Sequence, residues 1–381
     1  MSIVVGFAVL VLMTASDNVF VLGIQPSSSS ATPDRSSPSD RLADMLMTAR
    51  EQQHAVRLVG VHDALSARVV QRQHAARVER QQLQQPVDGP SNANPSPQQQ
   101  MGLFVSGFGV SASRLGRPDV SILTRSEQED TARNIVQAVT SADTVVPPPP
   151  VIVDGDTGFG GTANVRETIR RMAAIRAAAV TIEDQEFPKQ CTYMAGKGVA
   201  TVPREDAVRR VRAALAARNE ASEIAGTPIS VVARTDCRMG HGLDEAIERC
   251  LAFQELGADV VYAENLQSRD EYVALRKAMI GGENVTGGTR GVAPMILAQF
   301  QTGAPGQRLY PIDEVSAMGY EMTLYGVTGL QATVSALESV AAEIFEDGGI
   351  VRETPLSSLN EMKDVVGFSD LDSFEQKYGC T

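Results

Sequence analysis

Hydrophobic and polar positions along residues 57–327 follow two alternating patterns. Short apolar runs recur as RLVGVHDA (57–64), GLFVSG (102–107), PVIVDGD (150–156), AVTIED (179–184), SVVARTD (230–236), DVVYAEN (259–265), PMILAQF (294–300) and MTLYGV (322–327). Between them lie longer stretches in which apolar residues return every three or four positions, such as NVRETIRRMAAIRAAA, PREDAVRRVRAALAAR, LDEAIERCLAFQELG and SRDEYVALRKAM. A short run that is apolar on both faces and rich in Val and Ile suits a strand buried on both sides, as in a parallel sheet covered by helices. Repeated strand–helix units over this length predict an α/β fold, a closed (β/α)8 TIM-type barrel rather than an open doubly wound sheet.

The C-terminal edges of the predicted strands carry polar groups: Asp63, Ser106, Asp154 and Asp156, Glu183 and Asp184, Arg234 and Asp236, Glu264, and Gln299. In a barrel those edges meet at one mouth, where catalytic groups are assembled. The segments 81–100 (Gln/Pro/Asn-rich) and 281–293 (Gly-rich) each follow a helix and precede a strand, which places them at the opposite end as tolerated decoration. The loop 185–202 follows a strand, so it belongs at the mouth, and its length suits a lid.

Outside the barrel pattern the chain changes character. SIVVGFAVLVLMTA near the start is apolar but short for a membrane span, and a Ser/Pro-rich stretch that cannot build a core follows it. Residues 1–45 therefore read as a leader and disordered linker, 46–348 as the barrel, and 349–381 as an extension in which FSDLDSFEQKY suits a short amphipathic helix. The leader points to an organelle, mitochondrion or plastid; without targeting, the cytoplasm is the expected compartment. A misassigned start or a plain disordered extension is an equal reading of the same residues. Asn284-Val-Thr is a glycosylation sequon that matters only in a secreted chain.

Composition narrows the partners. A net charge of -12 without a dense basic cluster argues against nucleic acid and anionic lipid. The four cysteines, Cys191, Cys237, Cys250 and Cys380, match neither a zinc spacing nor a small disulfide scaffold. Cys250 falls on an apolar helical face and Cys380 in the tail. Neither a dinucleotide fingerprint nor a P-loop is present. VDGDTGFGG (153–161) sets two carboxylates at i and i+2 at a strand end, an arrangement that can hold a hard cation through oxygen and water, or simply make a solvated turn.

The segments SGFGVSASRLGRPD (106–119), DGDTGFGG (154–161), IEDQEFPKQC (182–191), ARTD (233–236) and AEN (263–265), in this order at strand ends, resemble the isocitrate lyase/phosphoenolpyruvate mutase superfamily, most closely its methylisocitrate and 2,3-dimethylmalate-type lyases. The resemblance covers about residues 55–345. It implies a barrel assembled as a homotetramer. It also implies Mg2+, with Mn2+ an alternative, held at Asp154, Asp156 and Glu183, largely through water. Asp119 and Glu264 stand in the surrounding shell beside the substrate. Ser106, Gly107 and Arg234 cradle the carboxylate of a small substrate, and Lys189 and Cys191 are carried on the lid.

Those residues fit a defined chemistry. Breaking a C–C bond beside a carboxylate leaves a carbanion that must be stabilised and then protonated. A thiol with a reference pKa near 8.5 is a suitable acid, and a neighbouring lysine can tune it. The expected function is a Mg-dependent lyase that splits a 2-hydroxy di- or tricarboxylate into a 2-oxo acid and a second carboxylate. A phosphonate mutase or hydrolase, an oxaloacetate hydrolase and a non-catalytic descendant remain as alternatives. Several positions depart from the family pattern: Thr192-Tyr193 replaces Gly-His after the cysteine, Phe104 stands in place of a tyrosine, Gln299-Phe300-Gln301-Thr302 ends the seventh strand, and Gln331 stands in place of an arginine. The loss of arginine at 331 favours a substituted malate or oxaloacetate over a tricarboxylate, because an amide cannot replace a bidentate clamp.

Overall fold

The computed structural model describes residues 36–83, 100–141, 146–192, 198–281, 291–303, 308–346 and 348–379. The leader up to residue 35, the centre of the Gln-rich segment, Tyr193, Asn284 and Cys380 lie outside them. Eight parallel strands close into a barrel in sequence order: β1 (Val56–Val61), β2 (Met101–Val105), β3 (Val151–Asp154), β4 (Ala179–Glu183), β5 (Ser230–Thr235), β6 (Val260–Ala263), β7 (Met295–Gln299) and β8 (Met322–Tyr325). The last strand pairs with the first, Val56 opposite Met322 and Val59 opposite Tyr325. Six strands lie within their predicted runs, and β1 and β2 each begin one residue earlier, at Val56 and Met101.

Ahead of β1 runs α1 (Pro38–Glu51), across the expected boundary between linker and barrel. Ser37 and Asp40 form a capping box, Pro38 starts the helix, and Leu42, Met45, Leu46 and Ala49 make one buried face. That face joins the cluster inside the barrel formed by Leu58, Phe104, Ile152, Val232, Val260, Tyr262, Ile296 and Leu324. A second cluster, including Leu103, Ile135, Val153, Ile169, Val180, Phe253 and Leu275, fills the layer between strands and outer helices. The helices that follow the strands are α2 (Ala64–Leu83), α3 (Gly107–Val110) with a π-helical turn at Ser111–Leu115, α4 (Arg125–Thr140), α5 (Thr162–Ala174), α6 (Arg204–Glu223), α7 (Arg238–His241), α8 (Leu243–Glu255), α9 (Arg269–Gly281), α10 (Ile312–Ala317) and α11 (Thr328–Glu346).

The described residues before and after the two insertions end α2 and begin β2, and end α9 and begin β7. Among the described residues no helix is long and apolar enough to cross a membrane. Most of α11 is exposed, with Val334, Leu337, Ile344 and Phe345 facing outward and Leu330 buried. Beyond it, α12 (Leu359–Val366) docks on α2, where Arg68 and Arg72 donate to the carbonyls of Val365 (3.3 Å) and Glu361 (3.2 Å). The helix expected in FSDLDSFEQKY forms as α13 (Phe368–Tyr378).

The chain after β8 passes close to β1. A Cβ on Gly60 would lie 1.9 Å from the carbonyl oxygen of Gly326 and 2.8 Å from that of Tyr325. Both obstacles are backbone, so they cannot rotate away. Gly60→Val is expected to cost about 3 kcal/mol or more through overpacking, read as a lower urea midpoint with little change in slope.

Candidate active site

Ser106, just after β2, turns the chain into α3; its Oγ accepts from the Gly109 amide at 3.1 Å. The turn brings the Gly107 N–H to Asp154 Oδ2 at 3.3 Å. A Cβ on Gly107 would sit 3.1 Å from Asp156 Oδ1 and 3.2 Å from Asp154 Oδ2, so glycine lets both carboxylates approach the chain. Asp154 ends β3. Asp156 follows with φ 48°, left-handed backbone that turns it back so that its N–H reaches Asp154 Oδ1 at 3.3 Å.

Glu183 ends β4 and is 1% exposed; neither of its oxygens accepts a hydrogen bond, and the nearest cation is Arg234 Nε at 3.5 Å. Burial pushes its carboxyl well up, against the pull of Arg234. Burial likewise raises the Asp156 carboxyl to about 7, with Lys189 opposing the shift. From β5, Arg234 forks onto Asp236 (Nε–Oδ2 3.0 Å, Nη2–Oδ1 2.8 Å) and lies 3.3 Å from Glu264 Oε2. Behind it, Asp184 accepts from the Thr235 hydroxyl (2.5 Å), the Asp236 amide (2.9 Å) and Arg249 (2.8 Å), fixing the strand end that aims Arg234.

The lid folds over this cluster. Gln185 bridges to Thr201, and Arg210 of α6 donates to the carbonyls of Glu183 (2.7 Å) and Gln185 (2.8 Å), which pins the lid's root. Lys189 is 5% exposed and lies between Asp119 Oδ2 (2.9 Å) and Asp156 Oδ1 (2.5 Å), while its amide donates to Ser121 (2.8 Å). Thr192 donates to Asp236 Oδ1 at 3.0 Å, so the residue that departs from the family pattern ties the lid to the partner of Arg234.

A cavity of about 70 Å3 opens between lid and barrel. At about 10–15 Å3 for one water, that is room for a few waters or one small organic acid. Its lining includes the polar residues Ser106, Asp119, Asp154, Lys189, Cys191, Arg234 and Glu264 and the apolar residues Phe104, Phe108, Ala298, Phe300, Leu324 and Val327. The structure thus brings Cys191, Lys189, Arg234, Ser106, Asp119, Asp154 and Glu264 to one cavity, while Gly107, Asp156 and Glu183 stand next to the lining residues Asp154, Lys189 and Arg234. Gln299 also reaches the wall, but its amide is engaged by the Tyr310 N–H (2.6 Å), the Tyr310 carbonyl (2.8 Å) and Thr323 (3.0 Å). Gln331 donates to the carbonyl of Gln301 at 2.7 Å.

Among the described residues no three His, Cys, Asp or Glu side chains converge tightly enough to ligate one ion directly. The donor set nonetheless fits a hydrated Mg2+: hard oxygens of Asp154 and Asp156 share one face of Gly107, and Glu183 keeps two buried oxygens without hydrogen-bond donors. Magnesium retains several waters, and such waters would satisfy those oxygens.

Sequence reasoning gave no role to Thr192, Arg210 or Tyr262. Tyr262 has a readable signal: with Val260 it occupies the inward positions of β6 under the period of two. Its hydroxyl donates to Glu264 Oε2, and the Arg234 guanidinium lies 5.3 Å above its ring.

Comparison with known proteins agrees with this architecture. The family model described as phosphoenolpyruvate phosphomutase matches residues 46–345. The 2,3-dimethylmalate lyase of Eubacterium barkeri is 30% identical over 278 residues, covering 72% of this chain and 86% of the relative. A crystal structure of 2,3-dimethylmalate lyase superposes with a TM-score of 0.70 at 26% identity, covering 90% of this chain and 96% of that one. Phosphonopyruvate hydrolase in complex with oxalate and Mg2+ superposes with a TM-score of 0.64 at 26% identity, covering 88% and 99%. The chain therefore belongs to the phosphoenolpyruvate phosphomutase family, within the superfamily of lyases and mutases that also contains the isocitrate lyases.

Proposed function

We propose that this chain is a Mg-dependent carbon–carbon lyase that cleaves a 2-hydroxy dicarboxylate, of the substituted-malate type, into a 2-oxo acid and a second carboxylate. The supporting observation is that a lid cysteine and lysine share one small cavity with Asp154 and Arg234. Asp154, Asp156 and Glu183 would hold the ion. Bound there, Mg2+ would polarise the substrate's 2-oxygen and stabilise the enolate charge.

The chain's own residues do the rest. Arg234, held in place by its fork on Asp236, binds the carboxylate beside the reacting carbon together with the Ser106–Gly107 turn. Lys189 brings positive charge under the lid, and the Cys191 thiol protonates the carbanion while the lid keeps bulk water away. The apolar wall of Phe104, Phe108, Phe300 and Val327, and the engagement of Gln299 and Gln331 elsewhere, favour an alkyl substituent over a third carboxylate. With Mg2+ present, turnover is expected on alkylmalates and weaker or none on isocitrate and methylisocitrate. No cleavage of any 2-hydroxy acid would sink the reading.

The second reading is a phosphonate mutase or hydrolase, favoured by the altered lid at Thr192, with an oxaloacetate hydrolase beside it. Both use the same ion and carboxylate cradle. Phosphorus NMR of phosphonopyruvate, and oxalate release from oxaloacetate, separate them from the lyase.

For assembly, the outward apolar residues of α11 support a homotetramer in which this helix packs on a neighbouring copy. Light scattering is expected to give about four times the 40.7 kDa chain mass. Leu337→Asp with Phe345→Asp is expected to give smaller species; an unchanged mass for the variant would exclude α11 from the contact. Residues 1–45 are proposed to direct the chain to a mitochondrion or plastid, read out by the destination of a fluorescent fusion.

A further inference from the structure

The lyase reading gives no role to the tyrosine in the cavity lining. Tyr262 is 1% exposed, points inward from β6, and donates its phenolic hydrogen to Glu264 Oε2. Arg234 Nη2 stands 3.3 Å from the same Glu264 oxygen, and the Asn265 amide donates to the other at 3.2 Å. A phenol oxygen can accept as well as donate, and Tyr262 lines the same cavity as Cys191 and Arg234. Phe104, which β2 sets in the same wall, has no hydroxyl to offer.

We propose that Tyr262 is a catalytic residue of the lyase reaction: its oxygen accepts the hydrogen of the substrate's 2-hydroxyl while its own hydrogen passes to Glu264 Oε2. The inference rests on the lyase reading above. The substrate O–H bond breaks and its electron pair becomes the new carbonyl bond. The C–C bond breaks, and its pair remains on the carbon that Cys191 protonates. The proton now on Glu264 leaves to solvent and the Cys191 thiolate regains one from solvent, so the cycle closes without an oxidant or reductant.

A purely structural tyrosine would make the same hydrogen bond to avoid a buried, unpaired hydroxyl. The two roles separate in kinetics. Tyr262→Phe removes one oxygen and is expected to lower kcat about 100-fold, with KM within about threefold of wild type and an unchanged melting temperature. Glu264→Gln keeps an acceptor for the phenol but cannot take up the proton, and the same loss in kcat is expected. Wild-type kcat in either folded variant, or a loss confined to KM, overturns the relay and leaves the lyase reading standing. A wild-type enzyme that cleaves no 2-hydroxy acid overturns that reading and the relay together.

Discussion

Cys191→Ala is expected to lower kcat for substituted malates by about 10²- to 10⁴-fold, the range for losing one positioned proton donor, with KM nearly constant. The argument rests on placement. Cys191 is 8% exposed and lines the cavity from the lid, whereas Cys237 and Cys250 are fully buried and do not line it. Burial drives the Cys237 thiol up to about 11 and that of Cys250 well up, which makes both poor proton donors near neutral pH. Steady-state kinetics of Cys191→Ala beside Cys237→Ala is the check. An alanine at 191 that cleaves as fast as wild type would remove the thiol from the mechanism.

Asp154→Asn together with Asp156→Asn is expected to abolish Mg2+ binding by calorimetry and to lower kcat/KM by about 10³-fold or more, since stabilising the enolate charge is worth several kcal/mol. The same pair gives a stability signature of its own. The Asp156 carboxyl titrates near 7 in the folded protein, above its ordinary 3.8, chiefly because it is buried. A raised carboxyl favours the folded state at low pH, and that contribution is lost as pH rises through about 7. Metal-free wild type should therefore lose thermal stability as pH rises from about 4 to about 7, and Asp156→Asn alone should reduce that slope. A wild-type melting temperature that rises across the interval would contradict it.

The barrel was legible because a parallel strand buried on both faces is an unbroken Val/Ile run, and eight such runs survive the insertions between them. The acids at the strand tips followed from the same logic. Less visible was α1: Leu42, Met45, Leu46 and Ala49 have helical spacing, but the Ser/Pro-rich residues before them set the tone of the whole segment. The contacts that organise the site were not visible at all. Lys189 meets Asp119 across 70 positions, and Thr192 meets Asp236 across 44; only closure of the ring brings them together. A period-two pattern marks Tyr262 as inward but says nothing of the depth at which its hydroxyl ends, and depth decides whether a tyrosine fills a core or faces a ligand.

Gln299 carries a practical lesson for anyone wishing to re-engineer the preference of this wall. Its side chain laces β7 to the backbone of Tyr310 with bonds in both directions, so a library randomised there would mostly sample loosened barrels. The side chains of Phe300 and Val327, which line the same cavity, are hydrocarbon and carry no hydrogen-bonding group, so they are the better places to begin.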